Sequence, residues 1–314
     1  MNALHPSSYA TLTIVTLSAV LTGCGGSQPP ISAPGFGVSD RTIISTSESN
    51  NALIYASNGC KGTCVLSYPS GKVVDSIAAS GGAPCSDGNG NVFIPSSGRL
   101  LEYQHGTTSL FWTYNLPGTE AAACSIEPTQ GYPAIVFRAS GEQGDIVIFN
   151  NGIYYPTVYS SGIESKYCGY DDTANLFVSG LKDGQPAISE LKSGQSSFIQ
   201  LSVVGRLGHP GHMQWDGKYM TYESIESSHV NISQLSISGS VATVVRTIHL
   251  KGKVKRATQS WIYDGKVSVP FSTSKKEGPD TIGIWPYPQG GKPDHIFKLP
   301  RSKALNIFGL TIST

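Results

Sequence analysis

The strongest constraint on the fold of this chain is a weak internal repeat with a period of about 44 residues. Each copy contains a short apolar piece, an acidic turn and then a strand of alternating apolar and polar residues. The acidic turn residues lie 40, 44, 45 and 48 positions apart: Asp87, Glu127, Asp171, Asp216 and Asp264. A Gly/Ser-rich loop follows in each copy, and after it come a third strand and a fourth. The repeat therefore predicts four short strands in each period.

Four strands per period of this length are typical of the blades of a β-propeller. Residues 40–314 have room for about six such blades, and a seven-bladed ring would need shorter ones. Low charge with frequent Gly, Ser, Thr and Val also favours strands and turns over helices. The predicted fold class is all-β, with a single propeller of about six four-stranded blades.

The two ends of the chain must share the sixth blade, because five complete copies account for residues 83 to about 303. Asn306–Ile312 has the pattern of an innermost strand. Leu53–Ala56, Val65–Tyr68 and Val73–Ala78 have the patterns of three outer strands. Joining them would close the ring and remove its free sheet edges. The alternative is that residues 41–46 supply the inner strand.

The N-terminus carries a short apolar run, residues 11–21, that is too short to span a membrane. It has the length of a signal-peptide core, and it ends in Leu21-Thr22-Gly23-Cys24, which resembles the lipobox of bacterial lipoproteins. That resemblance implies removal of residues 1–23 and acylation of Cys24. One departure is that residues 1–10 contain no Lys or Arg. The alternatives are an ordinary cleaved signal peptide and a chance match to the lipobox.

Residues 24–39 are uncharged and rich in Gly, Ser and Pro, which predicts a flexible tether between the lipid and the folded domain. The lipobox resemblance implies an extracytoplasmic protein of the bacterial cell envelope, held to the membrane by its N-terminal lipid. Gly25, rather than Asp, follows the cysteine. By the same resemblance this favours the outer membrane where the host has one.

The segment from about residue 40 to the C-terminus resembles the NHL-like and YncE-like propellers of bacterial lipoproteins. Four segments carry the resemblance: Tyr68–Lys72, Glu102–Gly106, Cys168–Asp171 and Gln214–Lys218. Close members of the group are six-bladed and largely uncharacterised. The resemblance implies the fold and no particular activity, since propellers serve many functions.

Charge is balanced, with 22 Lys and Arg residues against 21 Asp and Glu residues, so nothing predicts a nucleic-acid partner. The densest basic run contains Lys253, Lys255 and Arg256, between two blades. Lys275 and Lys276 fall in a loop that should lie on the same face. Together they predict a basic patch for an anionic sugar, phosphate or lipid headgroup. The alternative is that both loops are simply solvated.

His209 and His212 are predicted to lie in a loop just before an inner strand, on the face that carries the basic run. Two histidines there can hold a transition metal or act as acid and base, or they can be ordinary polar surface. The acidic turns suggest calcium, but one carboxylate per turn does not supply six to eight converging oxygens. Turn formation explains them better. No metal site and no cofactor is predicted.

The cysteines other than Cys24 divide into two groups. Cys60 and Cys64 flank a tight loop, and an exported protein meets an oxidising compartment. A disulfide between the two is therefore predicted in preference to a metal site. Cys85, Cys124 and Cys168 occupy equivalent inner strands. They are expected to be buried thiols, because like positions on neighbouring inner strands should be too far apart for a bridge.

No phosphate-binding Gly loop, HExxH, GxSxG or Walker sequence occurs in the chain. The function predicted from the sequence is a monomeric, non-catalytic binding or scaffolding lipoprotein. Its partner would be a protein, a glycan or another cell-envelope ligand, held by the loop-rich channel face. The alternative is a propeller enzyme of the lactonase or lyase type. It would use His209, His212 and carboxylates at the channel mouth.

Overall fold

The computed structural model describes residues 51–137, 145–149, 156–226, 229–299 and 306–314. All regular elements in these ranges are strands. The predicted signal peptide, Cys24, the tether and residues 41–46 lie outside the described residues. Among the residues that are described, none belongs to a helix long and apolar enough to span a bilayer.

The described strands form six small sheets, and each sheet is one blade. Blade 1 contains β1 (Leu53–Ser57), β2 (Thr63–Ser67) and β3 (Val73–Ile77); blade 2 contains β4 (Cys85–Ser86), β5 (Val92–Ser96), β6 (Arg99–Tyr103) and β7 (Leu110–Asn115); blade 3 contains β8 (Ala121–Ile126), β9 (Pro133–Phe137), β10 (Asp145–Ile148) and β11 (Thr157–Ser160). Blade 4 contains β12 (Glu164–Tyr170), β13 (Leu176–Lys182), β14 (Gln185–Leu191) and β15 (Ile199–Gln200).

The last two blades are five-stranded, and the chain then returns to the first. Blade 5 contains β16 (Ser202–Val204), β17 (His209–Trp215), β18 (Met220–Glu226), β19 (His229–Ser238) and β20 (Val241–Leu250); blade 6 contains β21 (Arg256–Ala257), β22 (Trp261–Tyr263), β23 (Lys266–Ser272), β24 (Thr281–Pro286) and β25 (His295–Lys298); β26 (Gly309–Ser313) belongs to blade 1. In blade 5 the short β16 pairs in parallel with the outer edge of β20.

The C-terminal strand closes the ring as the sequence predicts. β26 is the innermost strand of blade 1 and pairs antiparallel with β1, from Leu53 opposite Ser313 to Ser57 opposite Gly309. The sheet order is β26-β1-β2-β3. β26 therefore holds the inner position for which residues 41–46 were the alternative.

The core consists of six apolar clusters, each placed between two neighbouring blades. The cluster between blades 6 and 1 joins Ile282 of β24 to Ile54 of β1 and Leu310 of β26. Full burial of such a side chain stabilises the folded state by roughly 1.5–3 kcal/mol. Because every blade contributes to two clusters, the ring is stable only when it is complete.

The two faces of the ring carry different connections, because consecutive strands of a blade run in opposite directions. We call one the turn face: it carries the turns from the inner strand to the second strand, with the five acidic residues of the repeat. The opposite loop face carries the connections between blades, such as residues 251–255. It also carries the loops from the second to the third strand, such as residues 273–280.

The inner strands approach one another closely in the half of the ring nearer the loop face. Ala83 and Ala123, from blades 2 and 3, form a parallel bridge. The buried Gln259 amide donates to the carbonyl oxygens of Pro84 and Leu310. A Cβ atom on Gly309 would lie 2.6 Å from the Cβ of Ala83. The axis is thus tightly packed on the loop-face side.

This close approach corrects the expectation for two of the inner-strand cysteines. Cys85 and Cys124 form a disulfide, with their Cα atoms 5.6 Å apart. The blade alignment is right, since both residues lie on the inner strands β4 and β8. The assumed distance between like positions is wrong, because neighbouring inner strands converge at the axis. Cys168 is a buried free thiol, and Cys60 and Cys64 are joined by a disulfide across the β1–β2 loop.

Candidate functional site

Four acidic residues of the repeat hold the turns on which they lie: Asp87, Glu127, Asp171 and Asp216. The Asp87 carboxylate accepts hydrogen bonds from the backbone N–H groups of Asn89 and Asn91, at 2.9 and 2.7 Å. Asp171 accepts the equivalent bonds from Thr173 and Asn175, at 2.9 and 2.8 Å. Both patterns are the turn chemistry predicted from the sequence. Across the described ranges, no three His, Cys, Asp or Glu side chains gather as they would around a metal ion.

A cleft with a volume of about 830 Å³ opens between blades 5 and 6 among these turns. Four aromatic side chains line it, from the ends of three strands and the turns that follow them: Trp215, Tyr219, Tyr263 and Tyr287. Polar side chains alternate with the rings: Asp216, Lys218, Gln234, Arg246 and Asp264. This volume lies within the usual range of small-molecule sites, about 300–1,000 Å³.

Asp216 anchors one wall of this cleft, which we call the aromatic cleft. Its carboxylate accepts hydrogen bonds from the Tyr287 hydroxyl, the Gln234 amide and the backbone N–H groups of Lys218 and Tyr219. Burial acts to raise the pKa of Asp216, but these hydrogen bonds outweigh it and the pKa is lowered. Asp216 is therefore ionised at neutral pH, and its bonds hold the Tyr287 ring and the turn that carries Lys218 and Tyr219.

The aromatic cleft adjoins two smaller cavities. The central channel, about 310 Å³, opens on the turn face and shares Trp215 and Tyr263 with the cleft. A cavity of about 270 Å³ between blades 6 and 1 shares Tyr263 and Asp264 with it. The Tyr263 ring makes an edge-on contact with Tyr68, at 5.4 Å between centroids. Tyr263 is thus a wall shared by three adjoining cavities.

His209 and His212 both lie within β17, and not in a loop before an inner strand as predicted. His212 belongs to the wall of the channel. Its ring is stacked on Trp261, with centroids 5.8 Å apart and planes at 21°. Burial lowers the pKa of His212 to about 3. The imidazole is therefore uncharged at neutral pH.

Glu223 is buried next to His212. Glu223 was not predicted from the sequence as a site residue. Its carboxylate accepts hydrogen bonds from the backbone N–H and the hydroxyl of Ser260, at 3.0 and 2.8 Å. Burial raises the pKa of Glu223 to about 7 even though these bonds act to lower it. The bonds between Glu223 and Ser260 tie blade 5 to blade 6. The available signal was a glutamate inside the otherwise uncharged stretch Met220–Ile225.

The other predicted site residues lie on the loop face and are exposed: His209, Lys253, Lys255, Arg256, Lys275 and Lys276. The backbone N–H of Lys255 donates to Ser272 at 2.8 Å, and Arg256 pairs with Ser272. The structure therefore places the two basic segments side by side. None of these residues lines the three cavities of the turn face.

The aromatic residues of the cleft were not predicted from the sequence. Their signal was visible in the repeat, because an aromatic residue directly precedes the acidic turn residue in three consecutive copies: Tyr170-Asp171, Trp215-Asp216 and Tyr263-Asp264. Such pairs place a ring at the turn-face end of an inner strand. Of these pairs, only the acidic turn residue was predicted to have a role.

No protein-family model matches the sequence, and no curated protein is significantly similar to it. Solved structures do share the fold. A chain of the nidogen/laminin complex is 12% identical, with a TM-score of 0.64 over 84% of this chain and 99% of that one. A chain of Kuenenia stuttgartiensis hydrazine synthase is also 12% identical, with a TM-score of 0.50 over 71% and 67%. At this identity the similarity shows the fold alone, a six-bladed β-propeller.

Proposed function

We propose that this chain is a lipid-anchored, extracytoplasmic binding protein whose propeller holds its ligand on the turn face. The observation that carries the proposal is the set of three adjoining cavities around Tyr263, lined in part by aromatic rings. Aromatic side chains offer a large contact area and one polar end, and they are enriched where proteins bind partners. A rigid scaffold that presents such cavities is suited to recognition.

The chemistry of the charged groups supports binding over catalysis of the lactonase or lyase type. A catalytic acid or base must be able to exchange a proton with a substrate. The carboxylates of Asp87 and Asp216 instead accept several hydrogen bonds from their own turns. His212 is stacked on Trp261 and buried. These groups hold the walls of the cavities in place.

The proposal is tested by comparing variants of the two faces. The mature chain is immobilised and incubated with a cell-envelope extract of its host. We expect Trp215→Ala with Tyr263→Ala to reduce the retained ligand at least tenfold. The combined Lys253→Ala, Lys255→Ala and Arg256→Ala variant should retain as much as the wild type. The opposite pattern would assign binding to the loop face and reject the proposal, and equal retention by all three proteins would also reject it.

A further inference from the structure

We propose that the ligand of the aromatic cleft is a neutral oligosaccharide, long enough to extend past Tyr263 into an adjoining cavity. This inference rests on the proposed function and names the chemistry of its ligand. It follows from three properties of the described residues. These are the arrangement of the aromatic rings, the balance of charge around them and the adjacency of the cavities.

The aromatic rings supply flat apolar surfaces at the rim of a polar cleft. Trp215 and Tyr263 line the cleft and are each partly exposed, so part of each ring is available to a ligand. A sugar ring has an apolar face made by its C–H groups and a rim of hydroxyl groups. It can therefore lie on an aromatic ring while its rim contacts polar side chains. The amphipathic character of Tyr and Trp suits such a ligand.

The charges that line the cleft favour a neutral ligand. Lys218 and Arg246 are balanced by Asp216 and Asp264. The Lys218 ammonium lies over the Tyr219 ring, 5.0 Å from its centroid, and its charge is partly satisfied there. A strongly anionic or cationic ligand would gain little net attraction from this lining.

The hydrogen-bonding groups favour a sugar over a proline-rich peptide, which also binds to aromatic grooves. The cleft presents donors on Arg246 and an exposed carboxylate acceptor on Asp264. A hydroxyl group both donates and accepts, so it can satisfy either side chain. Proline has no backbone N–H, so a polyproline segment cannot donate to Asp264.

The adjacency of the cavities favours an oligosaccharide over a single sugar. Tyr263 lines both the aromatic cleft and the cavity between blades 6 and 1. A chain of sugars bound in the cleft can therefore continue over Tyr263 into the next cavity. We expect affinity to rise with chain length in the wild type, and we expect Tyr263→Ala to remove most of that rise.

The test is calorimetric titration of the mature chain with defined probes. The neutral probes are cellohexaose, chitohexaose and maltohexaose, with the corresponding disaccharides. Hexagalacturonate is the anionic probe and decaproline the peptide probe. We expect at least one neutral hexasaccharide to bind, with affinity at least tenfold weaker in Trp215→Ala and in Tyr263→Ala. The matched control is Trp112→Ala, since Trp112 is 38% exposed on the outer strand of blade 2. It should bind as the wild type does.

The other outcomes overturn the inference in distinguishable ways. Stronger binding of hexagalacturonate would reject the neutral ligand. Binding of decaproline alone, lost in Trp215→Ala, would reject the sugar and leave the turn-face site intact. Binding weakened equally in Trp112→Ala would place the sugar elsewhere. If no probe binds while envelope ligand is still retained through Trp215 and Tyr263, the oligosaccharide inference fails and the proposed function stands.

Discussion

At the scale of single residues, the disulfide between Cys85 and Cys124 links the inner strands of blades 2 and 3 and closes a chain segment of 39 residues. Restricting the unfolded chain over that length should stabilise the fold by about 4 kcal/mol, against about 2 kcal/mol for the four-residue separation of Cys60 and Cys64. We therefore expect Cys85→Ala with Cys124→Ala to lower the free energy of unfolding more than Cys60→Ala with Cys64→Ala does. Urea denaturation measures both, and the reverse order would contradict the account.

His212 and Glu223 should have opposite effects on stability as pH changes. The pKa of His212 is lowered to about 3, so its contribution is present above pH 6.5 and is lost as pH falls below that value. The pKa of Glu223 is raised to about 7, so its contribution is present below pH 4.5 and is lost as pH rises toward 7. Between pH 4.5 and 6.5 the two contributions largely cancel in the wild type.

Single substitutions should separate these two effects. Relative to the wild type, His212→Phe should gain about 3 kcal/mol of unfolding free energy between pH 6.5 and 4.5. Glu223→Gln should lose about the same amount over the same interval. Urea unfolding at a series of pH values gives both differences. If both variants follow the wild-type pH profile with only a constant offset, these two groups do not titrate as described.

At the scale of elements, β26 holds the ring closed. It pairs with β1 over five residues and places Leu310 and Ile312 in the cluster between blades 6 and 1. Deleting residues 306–314 would remove these contacts and expose an edge of β1. We expect the truncated chain to lose its cooperative thermal transition, and a synthetic peptide of residues 306–314 to restore it in part. A truncated chain that melts like the intact one would contradict closure by this strand.

Most strands and their order in the ring were predictable from the sequence, because the repeat period and the alternating pattern report local structure. The acidic turns were predictable for the same reason, since Asp87 and Asp171 bond to residues two and four positions away. The Cys85–Cys124 bridge was not, because it depends on how closely inner strands approach at the axis. The aromatic cleft was not predicted either. It forms only where the turns of two blades come together.

At the scale of the whole molecule, the two faces of the propeller differ in character. The candidate binding residues were predicted on the loop face, where Lys253, Lys255 and Arg256 are exposed. The structure places three adjoining cavities on the turn face. Surface charge is readable in a sequence, whereas concavity depends on the packing of distant segments.

Lipid anchoring of the whole molecule stays a prediction that rests on Leu21–Cys24 and the neutral stretch after it. Labelled palmitate should enter the wild-type protein expressed in a bacterial host, and Cys24→Ala should carry none. Cys24→Ala should also leave the membrane fraction, because it would carry no acyl chain at this position and a stable anchor needs more than one. Equal labelling of both proteins would contradict the lipobox interpretation.

The most direct measurement of the central claim is hydrogen–deuterium exchange of the mature chain with and without envelope ligand. Binding on the turn face predicts slower exchange in the turns at residues 215–219 and 262–265, with exchange unchanged at residues 251–256 and 273–280. This readout reports where the ligand lies whatever its chemistry is. Protection confined to residues 251–256 and 273–280 would place the binding surface on the loop face and contradict the account.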